Sequence, residues 1–288
     1  MDQGTAPDSA MWSLRSRGPA HAVSHTCLEA QAAARPRNIV TRIAGADPLH
    51  PDAVVWYQRA LAELRVARLL SDLGPEYRVL HAIPEVVAPG SSRGTTPRTA
   101  HPQCAGEHID HLVIGPPGVF TITTASHPRE RLEVRGSTLL ADGHRTTHLP
   151  TAEREARAAA RSLTRATGAP VAVTPVVVVV GAREIRHFET AAPSPVVVMS
   201  ARELGGWARA RSVVLGPDLV ASIARAAEEW TTWRPLTAEL GAPTDPGPRF
   251  GRLHDEVVGA RRVRFLWFAG SAAAFVLVAF GAASGLFS

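Results

Sequence analysis

The segment that most constrains this chain is residues 109–126, with the sequence IDHLVIGPPGVFTITTAS. Two apolar runs rich in β-branched residues flank the turn sequence GPPG, and this arrangement predicts a β-hairpin. Side chains alternate between the two faces of a strand, so Asp110 shares its face with Leu112 and Ile114. A buried carboxylate has to be paired or bound to a cation. Asp110 is therefore the first candidate site residue.

The run IDHLVIGPPGVF resembles the core of the nuclease-related domain (NERD), a family grouped with the PD-(D/E)XK restriction-endonuclease-like nucleases. The resemblance implies that Asp110 is the metal-binding aspartate and that Mg²⁺ or Mn²⁺ is the cofactor. The family pattern continues with a hydrophobic residue, an acid, threonine, lysine and asparagine. Here the acid, lysine and asparagine positions hold Thr123, Ala125 and Ser126.

These departures change the chemistry that the resemblance implies. In such nucleases two acids hold a divalent cation that polarises the phosphate and activates water, and the lysine stabilises developing negative charge. The hydroxyl of Thr123 is a poor ligand for a hard cation, and Ala125 carries no charge. All 31 basic side chains of the chain are arginines, so no lysine can take over the role, and arginine is a poor general base. We therefore expect a nuclease fold with impaired catalysis.

A second acid lies in a predicted helix upstream of the hairpin. Apolar residues recur at helical spacing from residue 54 to residue 73, where Gly74 and Pro75 end the run. Within it, the sequence AELRV resembles the family's G-E-x-x-V element, which implies that Glu63 reaches the metal site. The alternative is a solvated Glu63 paired with an arginine. A third acid near the site would favour activity, and we consider Glu107 and Glu130 for it.

The remaining elements indicate the fold class. Predicted strands at 171–180 and 195–199 alternate with helices, which is typical of an α/β domain. The resemblance implies a restriction-endonuclease-like mixed β-sheet flanked by helices, over residues 52–235.

The predicted helix at 151–167 carries a row of arginines. Such a row can lie on a phosphate backbone or form a solvated face with local glutamate pairs, and we favour the second. Family members often have glutamine near the start of this helix, where the chain has Glu153 and Glu155. The row consists of Arg154, Arg157, Arg161 and Arg165.

The two ends of the chain differ from this domain. Residues 1–51 show no sustained periodicity and predict a disordered segment, and residues 236–263 predict a linker with a basic end. Residues 264–288 predict one C-terminal transmembrane helix, because no charge occurs from 265 onward. A buried helix of a globular core is the alternative.

The arginines before this apolar segment predict its orientation. Arg261, Arg262 and Arg264 precede it and no positive charge follows, so we expect a single-pass protein of the cell membrane with its N-terminal domain in the cytoplasm. The spacing of Gly281 and Gly285 could pack two such helices together as a homodimer.

Composition adds little to these predictions. The net charge of +5 suits nucleic acid or an anionic membrane surface, and two cysteines give no disulfide framework. His101, Cys104, His108 and His111 are zinc-ligand types without a standard spacing.

Three hypotheses remain. The first is a membrane-anchored nuclease-related protein with impaired catalysis that binds nucleic acid or a protein. The second is an active metal-dependent nuclease that uses Asp110 and Glu63. The third is a structural, tail-anchored scaffold in which Asp110 only accepts hydrogen bonds.

Overall fold

A computed structural model describes residues 14–33, 38–84, 108–189, 194–233 and 245–285. The chain divides into two compact units, which we describe separately. The first comprises Met1–Val23 and Val55–Asp245, and the second comprises Ser24–Val54 and Pro246–Ser288.

Nine strands form two sheets within the described residues. They are β1 (Arg78–Pro84), β2 (His108–Gly115), β3 (Gly118–Ser126), β4 (Arg131–Arg135), β5 (Thr138–Ala141), β6 (His144–Arg145), β7 (Val173–Val180), β8 (Glu184–Phe188) and β9 (Val197–Ser200).

Eight α-helices and one short 3-10 turn accompany the sheets in the same ranges. They are α1 (His21–Gln31), α2 (Ile39–Ile43), α3 (Pro51–Ser71), α4 (His148–Thr167), α5 (Leu204–Ala210), α6 (Pro217–Glu228), α7 (Trp230–Trp233) and α8 (Gly247–Gly285), with the turn at Leu14–Ser16.

The larger sheet has the order β1-β2-β3-β7-β9 and contains the predicted hairpin. Strands β2 and β3 pair antiparallel across the turn, while β3, β7 and β9 run parallel. Strand β7 is buried along most of its length, as its run of valines predicts. The expected mixed α/β fold with helices beside a sheet is confirmed.

Helices cover both faces of this sheet. On one face α3 contributes Val66 and Leu70 to a cluster with Val113 and Val178. On the other face α4 contributes Leu163 to a cluster with Leu112, among others. Because both faces are buried, any polar side chain inside the sheet needs a partner there.

A second sheet, in the order β6-β5-β4-β8, was predicted only in part. Strands β4 and β5 agree with the sequence, which predicts two short strands at Arg131–Val134 and Ser137–Leu140. Strand β8 was not predicted, because its sequence EIRHF is mostly polar and its residues are exposed or half-buried. It forms by pairing in parallel with β4, which is distant in sequence.

The smaller unit contains helices that were not predicted from the sequence. Residues 21–43, expected to be disordered, include α1 and α2. Buried Cys27 of α1 lies with its Sγ 3.8 Å from the carbonyl oxygen of Ala53. A few tertiary contacts of this kind order a segment whose own periodicity is weak.

Helix α8 begins inside the segment predicted to be a linker. Leu253, Val257 and Ala260 recur at helical spacing and are buried, which explains why the helix starts early. In the described part of the chain, no helix is long and apolar enough to cross a membrane. The predicted transmembrane helix is therefore not confirmed.

Candidate metal centre

Asp110 lies in β2 and is almost completely buried, with 2 % of its surface exposed. Its Oδ2 accepts a hydrogen bond of 2.7 Å from the backbone N–H of Thr124 in the neighbouring strand β3. This bond fixes one carboxylate oxygen against the sheet. The other oxygen, Oδ1, lies near Arg59 of α3 and near His108 of the same strand.

Arg59 joins Asp110 to Glu63. Both Arg59 and Glu63 lie on α3, one turn apart, and the Arg59 Nε donates to Glu63 Oε1 over 3.2 Å. The Arg59 Nη2 donates to Asp110 Oδ1 over 3.4 Å. The alternative to a metal-site role was a solvated Glu63 paired with an arginine. Glu63 does have an arginine partner, but it is fully buried rather than solvated.

A third carboxylate reaches the site from α4. Glu155 is buried, and its Oε2 accepts a hydrogen bond of 2.8 Å from Thr123 Oγ1. Thr123 therefore occupies the acid position of the family pattern and contacts an acid that comes from another element.

Glu155 was predicted to lie in this helix, but no role was predicted for it. The sequence does contain a pattern that indicates a buried role for Glu155. This residue falls on the same helical face as Ala152, Ala156 and Ala159, which are buried. An acid on the apolar face of an amphipathic helix needs a buried partner. Glu153, by contrast, forms an ion pair with exposed Arg157.

Of the two acids considered for the third position, one lies within the described residues. Glu130 lies beyond β3 and contacts His127 Nδ1 at 3.1 Å, and its side chain is 35 % exposed. Glu107 lies outside the described residues. Glu130 is engaged with His127 in this structure, and its role as a third acid stays a prediction.

The lysine position is filled without a charge. Ala125 is fully buried in an apolar cluster with Leu149 and Val177. A long cationic side chain would have to displace these groups, so the positive charge beside the acids comes instead from Arg59 on α3.

His108 and His111 of the suggested zinc set have separate partners. His108 Nε2 lies 3.5 Å from Asp110 Oδ1, whereas His111 Nδ1 lies 2.8 Å from His81 Nδ1. The other two members, His101 and Cys104, lie outside the described residues. Of these two described histidines, His108 lies at the acid site, whereas His111 pairs with His81.

The protonation of the cluster follows from burial. Burial raises the pKa of Glu63 well above its usual value, the charge of Asp110 raises it further, and Arg59 opposes the rise. Burial lowers the pKa of His108 to about 4, with Asp110 acting in the opposite direction. His108 is thus neutral near pH 7 and can offer a lone pair.

The donor set fits a divalent cation. Ligand atoms of Glu63, His108 and Asp110 all lie within 4.8 Å of one another. Glu63 Oε2 and His108 Nε2 are buried and have no hydrogen-bond partner within the described residues. Carboxylates suit Mg²⁺ and Mn²⁺, and imidazole suits several transition metals.

A family model matches the part of the chain that carries this site. Residues 58–180 match the family model described as the nuclease-related domain, NERD. The match supports a nuclease-related domain protein. The matched range includes Glu63, Asp110, Thr123 and Glu155 of the site. No curated protein and no solved structure matches this chain.

A pair of buried histidines beside this site predicts a dependence of stability on pH. His127 Nε2 lies 2.9 Å from His148 Nε2, and burial, reinforced by His127, lowers the pKa of His148 to about 3. In the unfolded chain the histidine pKa is about 6.5. The unfolded state therefore binds the extra proton below about pH 6.5, and stability falls as the pH drops from there towards 3.

We expect His148→Gln to reduce the slope of unfolding free energy against pH between about pH 6 and 4.5 by about 1.4 kcal/mol per pH unit, the value for one proton. Urea unfolding followed by tryptophan fluorescence measures the slope. The matched control is His144→Gln, at an exposed position of β6. Equal slopes for the parent and His148→Gln would contradict the assignment.

Proposed function

We propose that the nuclease-related domain is an active, divalent-metal-dependent nuclease whose third acid is Glu155. The observation that supports the proposal is the buried hydrogen bond between Thr123 and Glu155, which brings a carboxylate into contact with the residue at the second acid position of the family pattern. This favours the active alternative over the impaired site expected from sequence.

Glu63 and Asp110 would hold the cation, with His108 within reach and Glu155 on the opposite, α4 side. A divalent ion bound there supplies Lewis-acid polarisation of a phosphoryl oxygen and a more acidic water. The fit rests on the unpartnered, buried Glu63 Oε2 and on the excess of carboxylates over the arginine that bridges Glu63 and Asp110.

Arg59 would take over the electrostatic part of the missing lysine. Its guanidinium is buried between two carboxylates, and the charges of Asp110 and Glu63 raise its pKa against the effect of burial. It stays protonated and cannot act as a base, so its role is to stabilise negative charge on a bound phosphate. The base would have to be a carboxylate or water.

A second function is favoured by the same arginine. Because Arg59 already bridges Glu63 and Asp110, it neutralises part of their charge without a metal. In that case the domain keeps the restriction-endonuclease-like arrangement and binds nucleic acid or a protein partner without cleaving it. Ala125, which provides no charge, is consistent with this alternative.

Cleavage of single- and double-stranded DNA by the purified full-length chain, with Mg²⁺ or Mn²⁺, separates the two functions. We expect Asp110→Asn and Glu155→Gln each to lower the rate about 100-fold or more, since even second-sphere partners of a metal cost about 10- to 100-fold. Glu153→Gln is the control and should keep the parent rate, because Glu153 lies on the same helix but pairs with exposed Arg157.

Folding of each variant is checked by its thermal midpoint. Absence of metal-dependent cleavage by the folded parent chain, or cleavage that Asp110→Asn leaves unchanged, would overturn the nuclease proposal in favour of the non-catalytic module.

We also propose that α8 attaches the chain to the cell membrane. Large apolar side chains along its second half are exposed within the described structure, and this observation supports attachment. Arginines precede them, as an anionic surface would favour. The exposed side chains are Phe265, Leu266, Trp267, Phe268, Phe275, Val276, Leu277 and Phe280.

Cell fractionation tests the attachment. We expect the full chain in the carbonate-washed membrane pellet and a chain ending at residue 264 in the supernatant, because the truncation removes the exposed apolar segment. Recovery of the full chain in the supernatant would contradict the proposal. The homodimer through Gly281 and Gly285 remains a prediction.

A further inference from the structure

A second polar site lies at the carboxyl ends of β7 and β9. It is a pocket of about 380 Å³ whose lining includes Arg65 of α3, Arg183 after β7 and Arg202 after β9. Three separate elements thus bring three guanidinium groups to one cavity.

The three arginines of this pocket have no acid as an ion-pair partner in the part of the chain that the structure describes. No carboxylate oxygen within 4.0 Å forms an ion pair with Arg65, Arg183 or Arg202 in the described ranges. Arginines without acidic partners around a concave surface attract anions.

Two acids also line the pocket, and each has a hydrogen-bond partner other than the three arginines. Glu184 forms an ion pair with Arg186 at 2.7 Å. Glu203 accepts hydrogen bonds of 2.7 Å from both the backbone N–H and the hydroxyl of Ser200. The positive charge of the three arginines therefore exceeds the negative charge of Glu203, whose described hydrogen bonds come from neutral donors.

The pocket and the acid site lie at the same edge of the sheet. Strands β3, β7 and β9 are parallel neighbours, and Thr124, which binds Asp110, pairs with Val178 near the carboxyl end of β7. Two strand spacings separate β3 from β9, or about 10 Å. Ligands of open α/β sheets bind outside the carboxyl ends of parallel strands.

We propose that this pocket binds a backbone phosphate of the nucleic-acid strand that the acid site cleaves, and this inference rests on the proposed nuclease function. Guanidinium groups bind phosphate through paired hydrogen bonds. Such contacts position the strand without reading its sequence.

Binding of a fluorescein-labelled DNA of about 20 nucleotides, measured by anisotropy in EDTA, tests the pocket separately from catalysis. The variant is the full-length triple mutant Arg65→Ala, Arg183→Ala, Arg202→Ala. The control triple mutant is Arg161→Ala, Arg165→Ala, Arg225→Ala, which removes the same charge from exposed positions on α4 and α6.

We expect the pocket variant to bind at least about tenfold more weakly at about 0.1 M salt. The slope of log affinity against log salt concentration should decrease in magnitude by about 1 for each phosphate that the pocket variant no longer binds. The slope of the control variant should change much less. Both variants must keep the parent's thermal midpoint, which the exposed positions of these arginines favour.

Equal weakening in the two triple mutants, a larger weakening in the control, or no DNA binding by the parent would each overturn the pocket assignment. These results do not depend on cleavage. Weaker binding by the pocket variant alone supports the pocket even if the parent cleaves nothing, so failure of the nuclease proposal is recognised separately.

Discussion

The site depends on the placement of Arg59 between the carboxylates of Glu63 and Asp110. Both acids are buried, and a buried charge without a partner costs more than folding can offset. The guanidinium satisfies one oxygen of each acid and leaves Glu63 Oε2 without a hydrogen-bond partner among the described residues. The rest of the domain holds these groups in place, with α3 on one side and the hairpin on the other. The two carboxyl groups outnumber the one guanidinium that bridges them, so the cluster can accept a further cation.

Glu155 changes how the degenerate family pattern is interpreted. By sequence, Thr123 removes an acid from β3, and this substitution predicted an impaired site. In the fold, Thr123 instead donates a hydrogen bond to an acid from α4, so a carboxylate still lies beside this position. Arg59 replaces the lysine of the family pattern only in part, because it supplies positive charge but cannot act as a base. The proposed activity therefore depends first on the acids.

The sequence predicted the local features, whereas those that arise from packing were missed. The hairpin and Asp110 followed from β-branched runs around GPPG, and Glu63 followed from the family resemblance. Glu155 was missed because its contact with Thr123 spans 32 residues and depends on how α4 packs on the sheet. Strand β8 and the helices before residue 50 were missed for the same reason. They have weak patterns of their own and form through tertiary contacts.

Titration calorimetry of Mn²⁺ into the full-length chain, without nucleic acid, shows whether the buried acids form a cation site. We expect one ion per chain, with affinity lowered at least about tenfold in Glu155→Gln and unchanged in the control Glu153→Gln. Binding by Glu155→Gln equal to that of the parent would contradict the assignment of Glu155. Absence of any Mn²⁺ binding by the folded parent would show that Arg59 alone neutralises the acids.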